Sequence, residues 1–153
     1  MRIIIFRHGE AEEKRPGISD EERRLTEKGR KDVECVAKVL PWKPSIIFTS
    51  PLIRAVETAK IVANIHGLEV VVDDALRPEK TSLEGVKELQ LVDGAVLVGH
   101  APSIEKLVSE LIGGGSIKLR AGSATGLEIK GVCRGCATLI FLITPDICSQ
   151  ALT

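Results

Sequence analysis

The chain has no surplus of charge of either sign: 21 Lys and Arg balance 21 Asp and Glu across 153 residues. No basic excess therefore points to nucleic acid or an anionic membrane as a partner. No apolar run approaches the ~18 residues needed for a membrane-spanning helix. The first residues do not read as a secretory signal, because their short apolar run breaks at Arg7 and His8. The cytoplasm is the expected compartment. Internal repeats, low-complexity segments and interdomain linkers are also lacking. Residues 1–153 are thus expected to form a single domain, long enough to bury a sizeable core.

Several chemistries lack their signatures. There is no Gly-x-Ser-x-Gly elbow for Ser-His-Asp catalysis and no Gly-rich, Lys-bearing phosphate loop. Of Cys35, Cys133, Cys136 and Cys148, only Cys133-Arg134-Gly135-Cys136 has redox or half-zinc spacing, and no second Cys/His pair completes a metal site. That pair precedes a strand pattern instead of opening a helix. Arg134-Gly135 reads as a hairpin turn with the cysteines opposed across it, compatible with a structural disulfide. No metal and no other cofactor is expected.

What the chain does have is organised around Arg2-Ile3-Ile4-Ile5-Phe6-Arg7-His8-Gly9-Glu10. The β-branched run Ile3 to Phe6 suits a buried strand. It leads into a cation, an imidazole and a carboxylate, where an α/β sheet exposes its ligands. Residues 11–24 are polar, with alternating charge blocks and Pro16-Gly17; they read as a solvated loop or, if they border the site, as a substrate-contacting one. A helix follows from Thr26 as N-cap, with Val33, Val36, Ala37 and Leu40 on one face, stopped by Pro41 and Pro44. Ser45 to Thr49 is a second strand. Ser50 as N-cap and Pro51 as first helical residue then open a helix that Gly67 ends.

Glu69 to Val72 is the third strand, and Thr81-x-x-Glu84 reads as a capping box opening a short helix through Leu89. Ala95 to Val98 is the fourth strand and runs into Gly99-His100. Pro102 and Ser103 open a helix whose Ile104, Leu107, Val108, Leu111 and Ile112 follow helical spacing up to Gly113-Gly114-Gly115. Gly126 to Ile129 and Thr138 to Ile143 read as an antiparallel hairpin at one sheet edge. The alternation predicts an α/β fold with three α/β/α layers and a mainly parallel sheet.

In that fold Arg7-His8, Ser50 to Arg54, and His100 meet at the carboxyl edge. His66, the third histidine, is expected at the surface near a helix end. Arg54 in a helix's first turn has the wrong sign for the dipole unless an anion binds there. Two imidazoles and two guanidinium forks suit a tetrahedral oxyanion. Phosphoryl transfer through a histidine nucleophile is the chemistry that remains.

Arg7-His8-Gly9-Glu10 resembles the Arg-His-Gly signature of the histidine phosphatase (phosphoglycerate mutase-like) superfamily. Leu25-Thr26-Glu27-Lys28-Gly29, Ser50-Pro51-Leu52-Ile53-Arg54-Ala55-Val56-Glu57-Thr58-Ala59 and Val98-Gly99-His100 agree in order and spacing. The short chain looks most like the SixA-type phosphohistidine phosphatases. The resemblance implies a phosphoglycerate mutase-like fold and a phosphohistidine intermediate on His8. It implies that Arg7, Arg54 and His100 bind the phosphoryl oxygens, with a hydroxyl contact from Ser50. His8 must be unprotonated on the attacking nitrogen, whereas His100 works better protonated. Glu57 stands where the family often has Gln, and little change is expected from it. Larger relatives carry a proton-donating acid in an insertion between the third and fourth strands. Here that segment is short, and Glu79 and Glu84 are the candidates.

The expected substrate is a phosphohistidine-bearing protein. Residues 77–90 leave little chain for a lid, so a shallow, open pocket is expected. No acid is securely placed to help an alkoxide leave, a need that an imidazole leaving group has less of. A small-molecule phosphomonoesterase of the same superfamily is the alternative. A non-catalytic phosphate- or phosphoprotein-binding module is the alternative of another class, and a Cys133/Cys136 redox protein a third reading. No oligomeric state follows from the sequence.

Overall fold

The computed structural model describes residues 1–151. Its chain order is β1 (Arg2–Arg7), α1 (Glu27–Lys38), β2 (Ile46–Thr49), α2 (Ile53–His66), β3 (Val70–Val72), α3 (Leu83–Lys87), β4 (Ala95–Gly99), α4 (Ser103–Ile112), β5 (Ala124–Ile129), β6 (Ala137–Ile143) and α5 (Asp146–Ala151). One six-stranded sheet has the order β3-β2-β4-β1-β5-β6. Strands β3, β2, β4 and β1 are parallel, and the β5–β6 hairpin adds two antiparallel strands at the edge, as the pattern predicts.

The buried stretches of the two central strands, Ile3 to Phe6 and Ala95 to Val98, are apolar because both of their faces are covered. Ile3, Ile5 and Leu97 pack with Val86 of α3 and with Ile104, Leu107 and Leu111 of α4. Ile4, Phe6, Val96 and Val98 pack on the other face with Val33 and Val36 of α1 and Ala55, Ala59 and Val62 of α2. Fully burying a side chain of this size contributes about 1.5–3 kcal/mol. These two strands therefore anchor the sheet. Their register pairs Arg7 with Gly99, while β2 pairs Thr49 with Val98. Three strand ends thus stand side by side at one edge, and Arg7-His8, Ser50 and His100 leave the sheet there.

Local signals hold with some shifts. Thr26 caps α1 by accepting Gly29 N–H at 2.9 Å. Gly67 ends α2 at φ 68°, its N–H reaching Ala63 O. Helix α2 opens at Ile53 behind Leu52, two residues later than the Ser50-Pro51 pair predicts. Ser50 Oγ accepts Leu52 N–H at 3.2 Å and also binds His100, so its hydroxyl serves the site as well as the turn. Ser82 caps α3 in place of Thr81, accepting Gly85 N–H at 3.0 Å, while the Thr81 hydroxyl turns back to Arg77 O.

His66 is not a free surface residue: its Nε2 donates to Ala37 O at 2.8 Å and ties the C-terminal end of α2 to that of α1. Residues 11–24 are also more ordered than a solvated loop. The Ala11–Leu25 bridge and a Glu12 N–H to Arg24 O bond of 2.8 Å close their base, and Asp20–Glu22 form a 3-10 turn. Disulfides join Cys133 to Cys136 in the hairpin turn and Cys35 of α1 to Cys148 of α5. Among the described residues no helix is long and apolar enough to cross a membrane.

Candidate active site

The end of β1 is knitted to both neighbours. Arg7 N–H donates to Ser123 O at 2.9 Å, His8 N–H donates to Gly99 O at 3.1 Å, and Gly122 N–H reaches the His8 carbonyl at 2.9 Å. Gly9 follows because nothing larger fits: a Cβ there would lie 2.8 Å from both Gly29 O and Val33 Cγ2. The reciprocal contact is tighter still, since a Cβ on Gly29 would stand 2.2 Å from Glu10 O. Gly9 N–H also donates to Thr58 Oγ1 at 3.1 Å, and the Thr58 hydroxyl donates to Arg54 O at 2.8 Å. Helices α1 and α2 thereby clamp the loop that follows β1 from one side.

This frame fixes the His8 ring. Nδ1 donates to Gly9 O at 2.7 Å, because a carbonyl can only accept. Nε2 is left with its lone pair, which accepts a long 3.4 Å bond from Arg54 Nε. Burial, reinforced by the positive charges of Arg54, Arg7 and Arg23, pushes the His8 pKa down to about 4, although the Gly9 carbonyl opposes this. His8 is therefore neutral near pH 7, the state a nucleophile needs.

His100 stands 5.0 Å from His8 between ring centroids, tilted by 55°. Its Nε2 is bonded to Ser50 Oγ at 2.8 Å, and its Nδ1 is buried without a partner. Burial first, then the neighbouring His8 and Arg54, push its pKa down to about 3. The proton expected on His100 is thus absent from the free site. A bound dianion is what would hold it there.

Arg54 directs all three of its donor groups inward. Nε meets His8, Nη1 donates to Asp20 O at 2.7 Å, and Nη2 pairs with Asp20 Oδ2 at 3.1 Å. Arg23 holds the other Asp20 oxygen, with Nη2 at 2.9 Å from Oδ1. Burial pulls the Asp20 carboxyl upward, but Arg54 and Arg23 outweigh it and keep the group below the usual carboxylate range. Arg7 Nη1 donates to Leu119 O at 2.8 Å, while its Nε is buried without a partner. Among the described residues the buried side-chain polar atoms lacking a partner are Arg7 Nε, His100 Nδ1 and Ser123 Oγ. All three belong to residues at this one sheet edge. Buried polar atoms are normally satisfied, so the cluster marks a place for a polar guest.

The geometry brings together His8, Arg7, Arg54, His100 and Ser50. It leaves Glu79 and Glu84 exposed. The carboxylate that reaches the site is Asp20, from the 11–24 segment. His8, Arg54 and His100 are only 8%, 5% and 2% exposed, so these side chains are covered although the 77–90 segment is short. The cover comes from the other side. Asp20 lies against Arg54, and Glu21 pairs with Arg77, linking the 11–24 segment to the loop before α3. Glu57 is also busier than expected. It accepts Leu25 N–H at 2.8 Å and pairs with Arg30 at 2.6 Å, fixing the far end of that cover. Sequence reasoning misses Asp20, Arg23 and Thr58; the Asp-x-x-Arg spacing is visible, but equivalent charges surround it.

The profile of the histidine phosphatase superfamily, branch 1, matches residues 3–87. The chain belongs to that superfamily. An uncharacterised protein of Picosynechococcus sp. is 31% identical, over 81% of this chain and 87% of that protein. Among solved structures, the protein histidine phosphatase SixA complexed with tungstate superposes with a TM-score of 0.84 at 22% identity, covering 97% of this chain and 99% of that one. A phosphoserine phosphatase from Entamoeba histolytica, complexed with phosphoserine, gives 0.71 at 18% identity, covering 95% of this chain and 98% of that one. The fold is therefore the phosphoglycerate mutase-like one. For a histidine phosphatase the arrangement has a direct chemical sense. A neutral imidazole nitrogen accepts from Arg54, and the buried Arg7 Nε and His100 Nδ1 stand at the same sheet edge without partners.

Proposed function

We propose that the chain works as one histidine phosphatase domain that hydrolyses phosphohistidine on a protein. His8 Nε2 attacks phosphorus in line, and the P–N bond to His8 forms as the substrate's P–N bond breaks. The leaving imidazole carries away a proton it has gained beforehand. Water then attacks the phosphorus on His8, and the P–Nε2 bond breaks with its electron pair returning to Nε2. The water's protons leave with the phosphate, and His8 returns to its neutral form with the proton on Nδ1. Arg7, Arg54 and His100 supply the charge that the three equatorial oxygens need, and Ser50 steadies His100.

The observation that carries the substrate assignment is the state of the carboxylate beside Arg54. Asp20 is held ionised by two guanidiniums, the wrong form for a proton donor, and Glu79 and Glu84 face solvent. An alkoxide leaving group needs a strong donor, whereas a protonated imidazole does not. The cover over the site favours the second reading, a small-molecule phosphomonoesterase, because small ligands are bound by enclosure. The positive charge supplied by the arginines supports catalysis without a metal. Activity should therefore survive a chelator, and loss on chelation with recovery on adding a divalent ion would contradict that part.

A cytoplasmic setting belongs to the same proposal. The two disulfides fit an oxidising compartment or an intracellular protein of a hyperthermophile, and cell fractionation decides between them. The main test compares kcat/KM for a phosphohistidine-bearing protein, sugar phosphates and phosphoserine, with His8→Ala as control. Turnover of the phosphoprotein should dominate and should vanish in the variant together with phosphoenzyme labelling. A sugar phosphate handled at ~10⁵ M⁻¹s⁻¹ or better, with the phosphoprotein untouched, would select the second reading.

A further inference from the structure

Arg7 is held differently from Arg54. It meets no carboxylate among its bonds: Nη1 donates to the Leu119 carbonyl at 2.8 Å and Nε is left free. A loop carbonyl is a weak guide for a long side chain unless its own backbone is fixed, and residues 115–120 have no regular structure to fix it. Two contacts supply what the loop lacks. The Leu119 side chain is fully buried. Leu119 N–H donates to Glu105 Oε2 at 2.6 Å, a short, charge-assisted bond. Glu105 lies in the first turn of α4, the helix that leaves the sheet just after His100, and Ile104 N–H bonds His100 O at 2.9 Å.

We infer that Glu105 is a positioning residue for the phosphoryl clamp. It locks the Leu119 peptide so that the carbonyl takes Arg7 Nη1 and turns Arg7 Nε toward a phosphoryl oxygen. The inference rests on the phosphatase reading and adds to it a link between the two sides of the clamp. His100 leads into the helical turn that carries the anchor of Arg7, its carbonyl accepting Ile104 N–H. The negative charge of Glu105 also raises the proton affinity of Arg7 against the effect of burial, so it favours the charged guanidinium there. The carboxylate itself does not touch substrate.

The two functions of the carboxylate can be separated. Glu105→Gln keeps an oxygen able to accept Leu119 N–H and removes the charge. Glu105→Ala removes both. A misplacement of about 1 Å in a positioned group lowers rate by about a hundredfold, so Glu105→Ala should reduce kcat/KM on p-nitrophenyl phosphate by about ten- to a hundredfold and weaken tungstate binding. Glu105→Gln should stay within about threefold of wild type, because the acceptor that sets the geometry remains. A cycle with Arg7→Ala identifies the route. Glu105→Ala should change tungstate affinity by less than about twofold once Arg7 is gone, since coupled residues are not additive.

The same loss in the presence and absence of Arg7 would overturn the inference, and so would equal losses in the Gln and Ala variants. If Glu105→Ala failed to fold, the Gln variant would still decide, because a loss beyond about tenfold there would refute positioning through the acceptor. The two readings also part cleanly. A wild type that binds tungstate in a Glu105-dependent way but turns nothing over would leave this inference standing and remove the phosphatase assignment. A wild type that does not bind tungstate would remove both.

Discussion

Replacing Asp20 with Asn should tighten anion binding, although Asp20 sits against Arg54, the residue proposed to bind the anion. In the free protein the Arg54 Nη2 to Asp20 Oδ2 pair, at 3.1 Å, occupies one donor that a phosphoryl group would use. At an effective dielectric constant of about 20 the bare attraction at that distance is about 5 kcal/mol. Arg54 is almost buried but the Asp20 side chain is 43% exposed, so solvent takes back most of that energy. A net competition of about 1–2 kcal/mol remains, which corresponds to about 5- to 30-fold in affinity. The Asp20→Asn variant keeps the backbone carbonyl that accepts Arg54 Nη1 at 2.7 Å, so Arg54 should stay in place. One effect opposes the gain: the Asp20 charge helps His100 hold a proton, but it is weaker than burial, His8 and Arg54 among the causes acting on that ring. Calorimetric titration with tungstate at pH 7 measures the balance. Without ligand the variant should be less stable than wild type, because a buried guanidinium loses its partner. At tungstate near 100 Kd it should recover about 2.7 kcal/mol, the linkage value for that saturation. Unchanged or weaker tungstate binding in Asp20→Asn would refute the reasoning and make Asp20 an organiser of Arg54 instead of its competitor.

Three other outcomes are expected. Arg54→Ala should lower kcat/KM by about 2–4 kcal/mol of transition-state stabilisation, the range for a lost oxyanion donor; steady-state kinetics showing less than about a tenfold loss would place that guanidinium outside the reaction. Neutral His8 contributes stability that is complete above its ordinary pKa of 6.5 and is lost as pH falls toward about 4. Urea unfolding should therefore show about 3 kcal/mol less stability at the acid end of that window from this group, and His8→Gln should flatten the slope. Gly29→Ala should destabilise by about 1–3 kcal/mol, although Ala normally favours a helix by about 1 kcal/mol. The new Cβ would press on Glu10 O, and unfolding together with activity reports whether the loop that follows β1 shifts.

The parts of the fold legible in the sequence are those whose cause is local. Ile3 to Phe6 and Ala95 to Val98 read as strands because both faces are buried, which leaves no polar position to interrupt them. Helix α4 reads clearly because its buried Ile104, Leu107, Val108 and Leu111 keep helical spacing against one face of the sheet. The shifts occur where tertiary demand overrides a local rule. Ser50-Pro51 has the composition of a helix start, yet the Ser50 hydroxyl is engaged with His100, 50 residues away, and the helix waits until Ile53. Thr81 and Ser82 can both cap, and the role falls to Ser82, whose backbone is extended at φ −150°.

The same distinction governs the site. The meeting of Arg7, His8, Ser50 and His100 is legible because each ends or directly follows a strand, and parallel register converts that position into proximity. Arg54 is legible because a cation in a first helical turn is electrostatically misplaced without an anion. Asp20, Thr58 and Glu105 carry no such mark. Their contacts span 34, 49 and 14 residues, so each depends on how loops close over an edge that is already built. In a chain with 27% charged residues, many carboxylates are chemically equal to Asp20 and Glu105. What distinguishes these two is the cation each serves: Asp20 neutralises Arg54 while no substrate is bound, and Glu105 steadies the carbonyl that aims Arg7. Most of the proposed catalytic groups follow from the strand ends, whereas the residues that set their charge balance follow from loop closure. This is why the proposed nucleophile can be picked out from four consecutive residues and the carboxylate standing in front of it cannot.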